Sequence, residues 1–297
     1  IVPTGTTYTW TVVPNADVNG ESDQSTPQGS IGQTLVNTTN TNQTVVYTVT
    51  PLIGTCAGTP FTVTVTVTPA PFIPAQTATI CSGSAFTIAP TNTPPGTIVP
   101  ASTTYTWTVA TNNNVTGQSN QSTSQNDISQ TLTNNTNVAQ QVVYTVTPQS
   151  GTCTGATFTV TVTVNPKPVV PTQTQTICSE TAFTLTLTNN PTTTIIPANT
   201  QYTWTVATNT NVTGQSNQTT GTTTISQTLT NNTNTTQPVV YTITPTSGAA
   251  GNCPGSPFTL TVNVDPKPRI PNQTLTVCSG VQFTVTIPSN NPTTVIV

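Results

Sequence analysis

The strictest constraint on this chain is an alternation with period two. Residues 61–67, 158–164 and 258–264 each place an apolar side chain at every second position, with threonine between (Asn263 is the one exception). Successive side chains of a strand point to opposite faces, so each stretch presents one apolar face and one hydroxyl face. Val and Thr are β-branched and fit a pleated, half-buried surface. A proline pair follows each stretch: Pro69 and Pro71, Pro166 and Pro168, Pro266 and Pro268. Proline cannot donate to a ladder, so the pair stops the strand. Each stretch is read as the last strand of a unit, and the Pro-x-Pro tail as a stiff linker to the next.

The units recur along the whole chain. Trp10, Trp107 and Trp204 stand 97 residues apart (107 − 10 and 204 − 107), each inside Tyr-Thr-Trp-Thr-Val. Cys56, Cys153 and Cys253 follow at spacings of 97 and 100 (153 − 56 and 253 − 153), which places a short insertion near 249–251. Cys81, Cys178 and Cys278 form a second series. Such a period is too long for a solenoid turn or a propeller blade and fits an autonomous domain in tandem. The proline joints set the frame. It holds a partial β-sandwich repeat over 1–69, full repeats over 70–167 and 168–267, and the opening strands of a further repeat over 268–297. Ile1 falls in the middle of a repeat, so the sequence reads as a window onto a longer array.

Within 70–167 the pattern predicts strands at 76–81, 85–89, 103–110, 127–133, 142–147 and 158–164, with one ragged strand in 112–124. Tyr105, Trp107 and Val109 share one face of their strand, as do Val142, Tyr144 and Val146. Short strands separated by turn-rich segments indicate an all-β fold of tandem antiparallel β-sandwiches. Trp10, Trp107 and Trp204 in the third strand, and Tyr47, Tyr144 and Tyr241 in the penultimate one, take immunoglobulin-like core positions.

Charged residues make up 3% of the chain, net charge is −3, and histidine is absent. That leaves no electrostatic footprint for nucleic acid or an anionic membrane. Good helix formers are scarce, and no apolar run approaches the roughly 18–20 residues that span a bilayer. Ordinary low-complexity disorder is set aside because the apolar residues recur in register. Without histidine there is no Ser-His-Asp constellation. Asp17, Glu21 and Asp23 form the one acidic cluster, and the second repeat has Gln118 and Asn120 where the first has Glu21 and Asp23. A solvated loop explains the cluster better than a calcium site. Lys167 and Lys267 lie in joints, where the first joint has Ala70, which speaks against lysine–asparagine isopeptide bonds. The chain is therefore read as non-enzymatic, with no cofactor, no metal and no membrane insertion.

Sequons occur at Asn114, Asn120, Asn134, Asn211, Asn217, Asn231 and Asn272. Asparagine at these positions is better explained by turn conformations and side-chain bonds to the backbone. The Thr-x-Thr arrays invite an ice-binding reading, but twisted sheets do not make the flat lattice it needs.

Six cysteines, two per repeat, in a chain without histidine point to disulfides and an oxidising, extracytoplasmic location. Three connectivities stay open. Pairing within a repeat gives Cys81–Cys153 and Cys178–Cys253, the arrangement taken first. A sandwich places the first turn and the last hairpin at opposite ends, about 33 Å apart over a ten-residue strand, whereas a disulfide needs about 4.4–6.8 Å between Cα atoms. Pairing across a joint gives Cys81–Cys253. A chain that doubles back at the joint gives Cys56–Cys81, Cys153–Cys178 and Cys253–Cys278.

Several linked motifs carry a resemblance. They are Ile-Cys-Ser-Gly followed by Phe-Thr, Tyr-Thr-Trp-Thr, Val-Val-Tyr-Thr-Val-Thr-Pro, Gly-x-Cys-x-Gly, and Phe-Thr-Val-Thr-Val-x-x-Pro-x-Pro. Together they resemble the PKD-like and Ig-like repeats of giant Bacteroidetes cell-surface proteins, gliding-motility adhesins among them. The resemblance implies type IX export, an extracellular place on the bacterial surface, and a role as a structural segment of a filament or adhesin stalk. Its partners would be neighbouring repeats of the same chain and identical chains in a fibre. Two other readings stand beside it. The polar loops 13–30, 110–127 and 207–224 could recognise surface glycans or proteins, and uncharged edge strands could assemble laterally into a sheath or bundle.

Overall fold

The computed structural model describes residues 2–248 and 251–287. Those residues form 24 strands and no helix. The first unit contains β1 (Thr7–Val12), β2 (Val18–Asn19), β3 (Gln24–Gln28), β4 (Val36–Asn37), β5 (Gln43–Ile53), β6 (Cys56–Ala57) and β7 (Phe61–Val67). The second contains β8 (Gln76–Cys81), β9 (Ser84–Ile88), β10 (Thr104–Val109), β11 (Val115–Thr116), β12 (Gln121–Gln125), β13 (Ile128–Asn134), β14 (Gln140–Ser150), β15 (Cys153–Thr154) and β16 (Phe158–Asn165). The third contains β17 (Gln173–Cys178), β18 (Thr181–Leu185), β19 (Gln201–Ala207), β20 (Val212–Thr213), β21 (Gln218–Thr222), β22 (Ile225–Asn231), β23 (Gln237–Thr246) and β24 (Phe258–Asp265).

The second unit is a two-layer sandwich. One sheet runs β12-β10-β14-β16-β8 with β15 folded onto β14, and the other runs β11-β13-β9. The third unit repeats both sheets, as β17-β24-β23-β19-β21 and β18-β22-β20. The alternation explains the layering. On β16, Phe158, Val160, Val162 and Val164 face inward and are buried, while the threonines between them face out. They meet Trp107, Tyr144 and Val146 from their own sheet and Phe86, Ile128 and Leu132 from the facing one. The third core uses the matching Phe258, Leu260, Val262 and Val264. At roughly 25 cal/mol per Å² of apolar surface removed from water, these side chains are the main drive for folding each unit.

Three details depart from the sequence-based picture. The first strand of each complete unit runs parallel, not antiparallel, to the last: β8 lies beside β16 with Val160 opposite Gln76 and Asn165 opposite Cys81. The polar segment 112–124 holds two short strands, β11 and β12, where one ragged strand was expected. Residues 268–287 form no strand and are exposed, although their pattern matches the opening strands of a unit. A strand needs a partner for its N–H and C=O groups, and this segment meets none among the described residues. The rest of that expected partial repeat, 288–297, lies outside the described residues.

The first unit shows the converse. Among the described residues it holds no counterparts of β8 and β9, and β7 pairs with β5. Its core is correspondingly smaller: Trp10, Val18, Val45, Tyr47 and Val49 are buried, whereas Val63, Val65 and Val67 are only half-buried.

Candidate functional site

The joint between the second and third units brings together most of the residues that the sequence singles out. β16 ends at Asn165, and Pro166 and Pro168 follow, both buried. In the first joint Pro69 and Pro71 are buried too. These linkers are packed between units rather than strung between them. In the third joint Pro266 is half-buried and Pro268 exposed. There the Glu180 carboxylate accepts from both Lys267, at 2.9 Å, and Arg269. All three side chains are partly solvated, so the clamp contributes little to stability.

Close backbone approaches seat each linker. A Cβ on Gly155 would lie 2.0 Å from the Pro71 carbonyl oxygen, and one on Gly255 would lie 2.5 Å from that of Pro168. Only glycine lets the last hairpin of a unit rest on the linker at its start. Beyond the linker, Gly251 (φ +80°) lies against Asn165, leaving no room for a side chain.

At this contact Cys81 is bonded to Cys253, with Cα atoms 5.6 Å apart and 172 residues between them in sequence. Cys253 is fully buried, its N–H donating to Ser247 Oγ at 2.9 Å. The disulfide therefore crosses the joint. The within-repeat pairing taken first is overturned. The parallel register holds Cys81 beside Asn165, at the far end of β16 from Cys153. An eight-residue strand spans about 26 Å, far beyond disulfide reach. The doubled-back pairing is excluded as well: the observed bond takes Cys81 from Cys56 and Cys253 from Cys278, and Cys153 and Cys178 are both unbonded. Cys56, Cys153, Cys178 and Cys278 carry free thiols, with Cys153 half-buried and the other three exposed. Cys153 Sγ lies 3.0 Å from Thr68 Oγ1.

A buried polar clasp anchors the near side of the joint. Asn134 Nδ2 donates to the carbonyls of Val138 (2.7 Å) and Val164 (2.9 Å), and its Oδ1 accepts from the Thr136 N–H (2.9 Å) and hydroxyl (2.8 Å). The Asn134 N–H donates to Ser82 Oγ at 2.9 Å, and the Ser82 N–H donates to the Asn165 carbonyl at 2.8 Å. The residue after Cys81 is thus tied to both sheets. Asn231 and Ser179 repeat the arrangement in the third unit. The sequons at Asn134 and Asn231 are these buried clasps. Asn120 and Asn217 lock loops, accepting from the N–H groups of Val109 and Val206 at 2.9 and 2.8 Å.

The core markers sit in a second network. Trp107 Nε1 donates to the Ser119 carbonyl at 3.1 Å, Tyr144 Oη donates to Gln130 Oε1 at 2.9 Å, and Gln130 Nε2 donates back to that carbonyl at 2.8 Å. Trp10 with Tyr47, and Trp204 with Tyr241, repeat these bonds to the Ser22 and Ser216 carbonyls and to Gln33 and Gln227. Burial pushes the Tyr144 and Tyr241 hydroxyls well above the usual phenol range. Tyr47 is raised too, by burial first and then by the negative charge of Glu21.

The acidic cluster does loop work. Asp23 Oδ1 accepts from the Val12 N–H at 2.8 Å and Glu21 Oε1 accepts from the Asn15 N–H. Asn120 and Gln118 do the same with uncharged groups in the second unit. The described residues hold no group of three or more His, Cys, Asp or Glu placed to bind a metal ion.

A profile of the PKD-like domain matches residues 1–71, 78–168 and 175–268. The chain belongs to the PKD-like domain family. Each PKD-like match ends at the linker of its unit. No curated protein matches the chain. Among solved structures it is similar to the FN1–FN3 domains of chicken CNTN1 (12% identity, covering 87% of this chain and 88% of that one, TM-score 0.27). It is also similar to mouse clustered PcdhgC3 EC1-3 (12%, 86% and 88%, TM-score 0.28) and to Drosophila N-cadherin EC1-4 (12%, 88% and 67%, TM-score 0.27). Likeness at this level carries no argument about ligands or arrangement. In this chain a covalent bond crosses a joint between two PKD-like units. No signal in one repeat announces it, because its two cysteines belong to different repeats.

Proposed function

We propose that this chain is a structural segment of an extracellular bacterial surface filament or adhesin stalk, whose tandem sandwiches provide reach and stiffness. The observation that carries this reading is the Cys81–Cys253 bond across a joint with both prolines buried. A ligand-binding module has no need to staple its neighbours, whereas a load-bearing rod does. Tension entering through β8 can cross the disulfide to the third unit without passing through the intervening chain. A disulfide of this kind also fits an oxidising compartment. Placement on a bacterial surface, and type IX export, rest on the motif resemblance alone.

Single-molecule stretching tests the reading. With the disulfide intact, the 172-residue segment stays shielded. Reduction should expose about 600 Å of extra contour length, at roughly 3.5 Å per residue. Equal extension before and after reduction sinks it. The glycan-binding alternative is disfavoured because polar groups of loops 13–30, 110–127 and 207–224 bond within their own unit. Strong and selective binding on a glycan array would restore it.

A further inference from the structure

The joint between the second and third units carries a positive charge without a counter-charge. The chain has three cationic side chains. Lys267 and Arg269 both bind Glu180. Lys167 stands in Asn165-Pro-Lys-Pro168 where Lys267 stands in Asp265-Pro-Lys-Pro268. Yet Lys167 makes no ion pair among the described residues. One difference between the repeats explains this. Glu180 follows Ser179 in the turn between β17 and β18, and the same place after Ser82 is Gly83. The two backbones match. Their φ angles are +68° at Glu180 and +82° at Gly83, and each N–H donates to the neighbouring strand, Glu180 to the Leu229 carbonyl and Gly83 to that of Leu132. A Cβ on Gly83 would meet nothing within 4 Å. The second unit thus keeps the lysine and leaves open the space that a carboxylate fills in the third.

That space belongs to a cleft of about 310 Å³, at the small end of ligand-binding sites. Lys167, Thr133, Asn135 and Ser256 line it with polar groups, and Val169 and Ile195 with apolar ones. Every wall comes from the two complete units and the linker between them. The walls are fixed before any ligand arrives. Val169 and Ile195 exchange two backbone hydrogen bonds of 2.9 Å. Thr133 and Asn135 flank Asn134, whose side chain ties both sheets of the second unit. The Cys81–Cys253 bond and the seat of Gly255 on Pro168 hold one unit against the other. Lysine is seldom withdrawn from water without a partner, and Lys167 is half-buried. A preformed cleft with one such cation suits an anionic ligand, because little ordering remains to be done on binding.

We propose that this cleft binds the carboxylate of an acidic sugar, a uronic acid unit of a polysaccharide, with Lys167 as its counter-ion. Lys267 on Glu180 shows that a lysine at this place in a joint holds a carboxylate at 2.9 Å. The hydroxyls of Thr133 and Ser256 and the amide of Asn135 supply donors and acceptors for ring hydroxyls. Val169 and Ile195 offer an apolar surface to the C–H face of the ring. A peptide carboxylate fits less well. Extended peptides bind by adding to an open sheet edge, and β13, which carries Thr133, is paired on both sides by β11 and β9.

The site goes beyond the stalk reading and does not depend on it. The test titrates the full 297-residue chain with methyl β-D-glucuronide, and with neutral methyl β-D-glucoside as control, by saturation-transfer NMR and calorimetry. The glucuronide should bind with a millimolar Kd that weakens as salt is added. The glucoside should bind about tenfold more weakly, since it lacks the charged group. Lys167→Ala should weaken glucuronide binding by about tenfold as well. Gly83→Glu gives the second unit the carboxylate that Glu180 gives the third and should abolish binding while Lys167 stays in place. Lys267→Ala, at a lysine already paired, should leave the affinity unchanged. Persistence of the Cys81–Cys253 peptide in a non-reducing map shows that each variant has folded. Absence of glucuronide binding, equal affinity for the glucoside, or undiminished binding in Lys167→Ala or Gly83→Glu overturns the proposal. Tighter binding of a triglutamate peptide overturns it too and reassigns the cleft to an acidic protein. None of these outcomes bears on the stretching result, so the two readings fail separately.

Discussion

Replacing Cys81 with serine removes the covalent bond across the joint and leaves Cys253 as a buried thiol. The size of the effect follows from which loop the disulfide closes. Asn165 holds Cys81 in register while the second unit is folded. When the third unit alone unfolds, the closed loop therefore runs from Asn165 to Cys253, 88 residues (253 − 165). The chain-entropy relation gives about 4.5 kcal/mol for a loop of that size. The full 172-residue loop gives about 5 kcal/mol, because the dependence on length is logarithmic. Cys81→Ser should thus lower the stability of the second and third units by several kcal/mol each and leave the first unit untouched. Native-state hydrogen exchange read by mass spectrometry resolves this unit by unit. Protection of peptides from β14 and β23 should fall about a thousandfold, since each 1.4 kcal/mol is a factor of ten. Peptides from β5 serve as the internal control. A fall of less than about fivefold in β14 and β23 (roughly 1 kcal/mol) would mean the bond merely decorates a joint that packing already holds, and the mechanical argument would fail with it.

Other perturbations probe the packing around the joint. Asn134→Ala strands the Val138 and Val164 carbonyls and the Thr136 donors inside the second unit, at a cost of about 2–4 kcal/mol by urea denaturation. Asn114→Ala, at an exposed loop position, should change the unfolding free energy by less than about 1 kcal/mol. Gly155→Ala drives a Cβ into the Pro71 carbonyl. It should make residues 69–73 more accessible to a protease, whereas an unchanged cleavage rate would show that the linker simply shifts aside. Burial raises Tyr105, Tyr144, Tyr202 and Tyr241, so above the ordinary phenol pKa of about 10 the folded chain retains protons that the unfolded chain has lost. Stability contributed by these hydroxyls is complete below that pH and declines as pH rises beyond it. A melting temperature that stays level up to pH 12 would contradict this sign.

Much of the fold was legible in single repeats. The period-two runs located β16, β24 and β10 to within a residue or two, because an apolar face of four inward side chains has only one place to go. The proline pairs marked where each unit ends. The buried Trp107 and Tyr144 were visible as the large apolar members of alternating runs, but their polar partners were not. Ser119 and Gln130 look like ordinary loop and strand-face residues until the fold brings them to 3.1 and 2.9 Å from those rings' polar atoms. Ser82 was likewise hidden, since a serine after a cysteine signals no buried clasp, whereas the side-chain bonds to the backbone expected of Asn134 are bonds it makes.

Two pairs of matched segments separate what the sequence determined from what the tertiary structure decided. Ile128-Ser-Gln-Thr-Leu132 lies in β13 opposite β9, with both apolar residues fully buried. Ile31-Gly-Gln-Thr-Leu35 has the same pattern but forms no strand, and among the described residues no strand equivalent to β9 lies beside it. Gln76–Cys81 is β8, and the matching 273–278 is exposed and unpaired. Alternation chose the face and the period in every copy, since those depend only on side-chain order along the chain. Whether a segment became a strand, and which cysteine it met, depended on a partner far away in sequence. Hydrogen bonds to a neighbouring strand and the closing of a joint are contacts between elements. The sequence alone specified two cysteines per repeat, and only the stacking of one sandwich on the next joined Cys81 to Cys253.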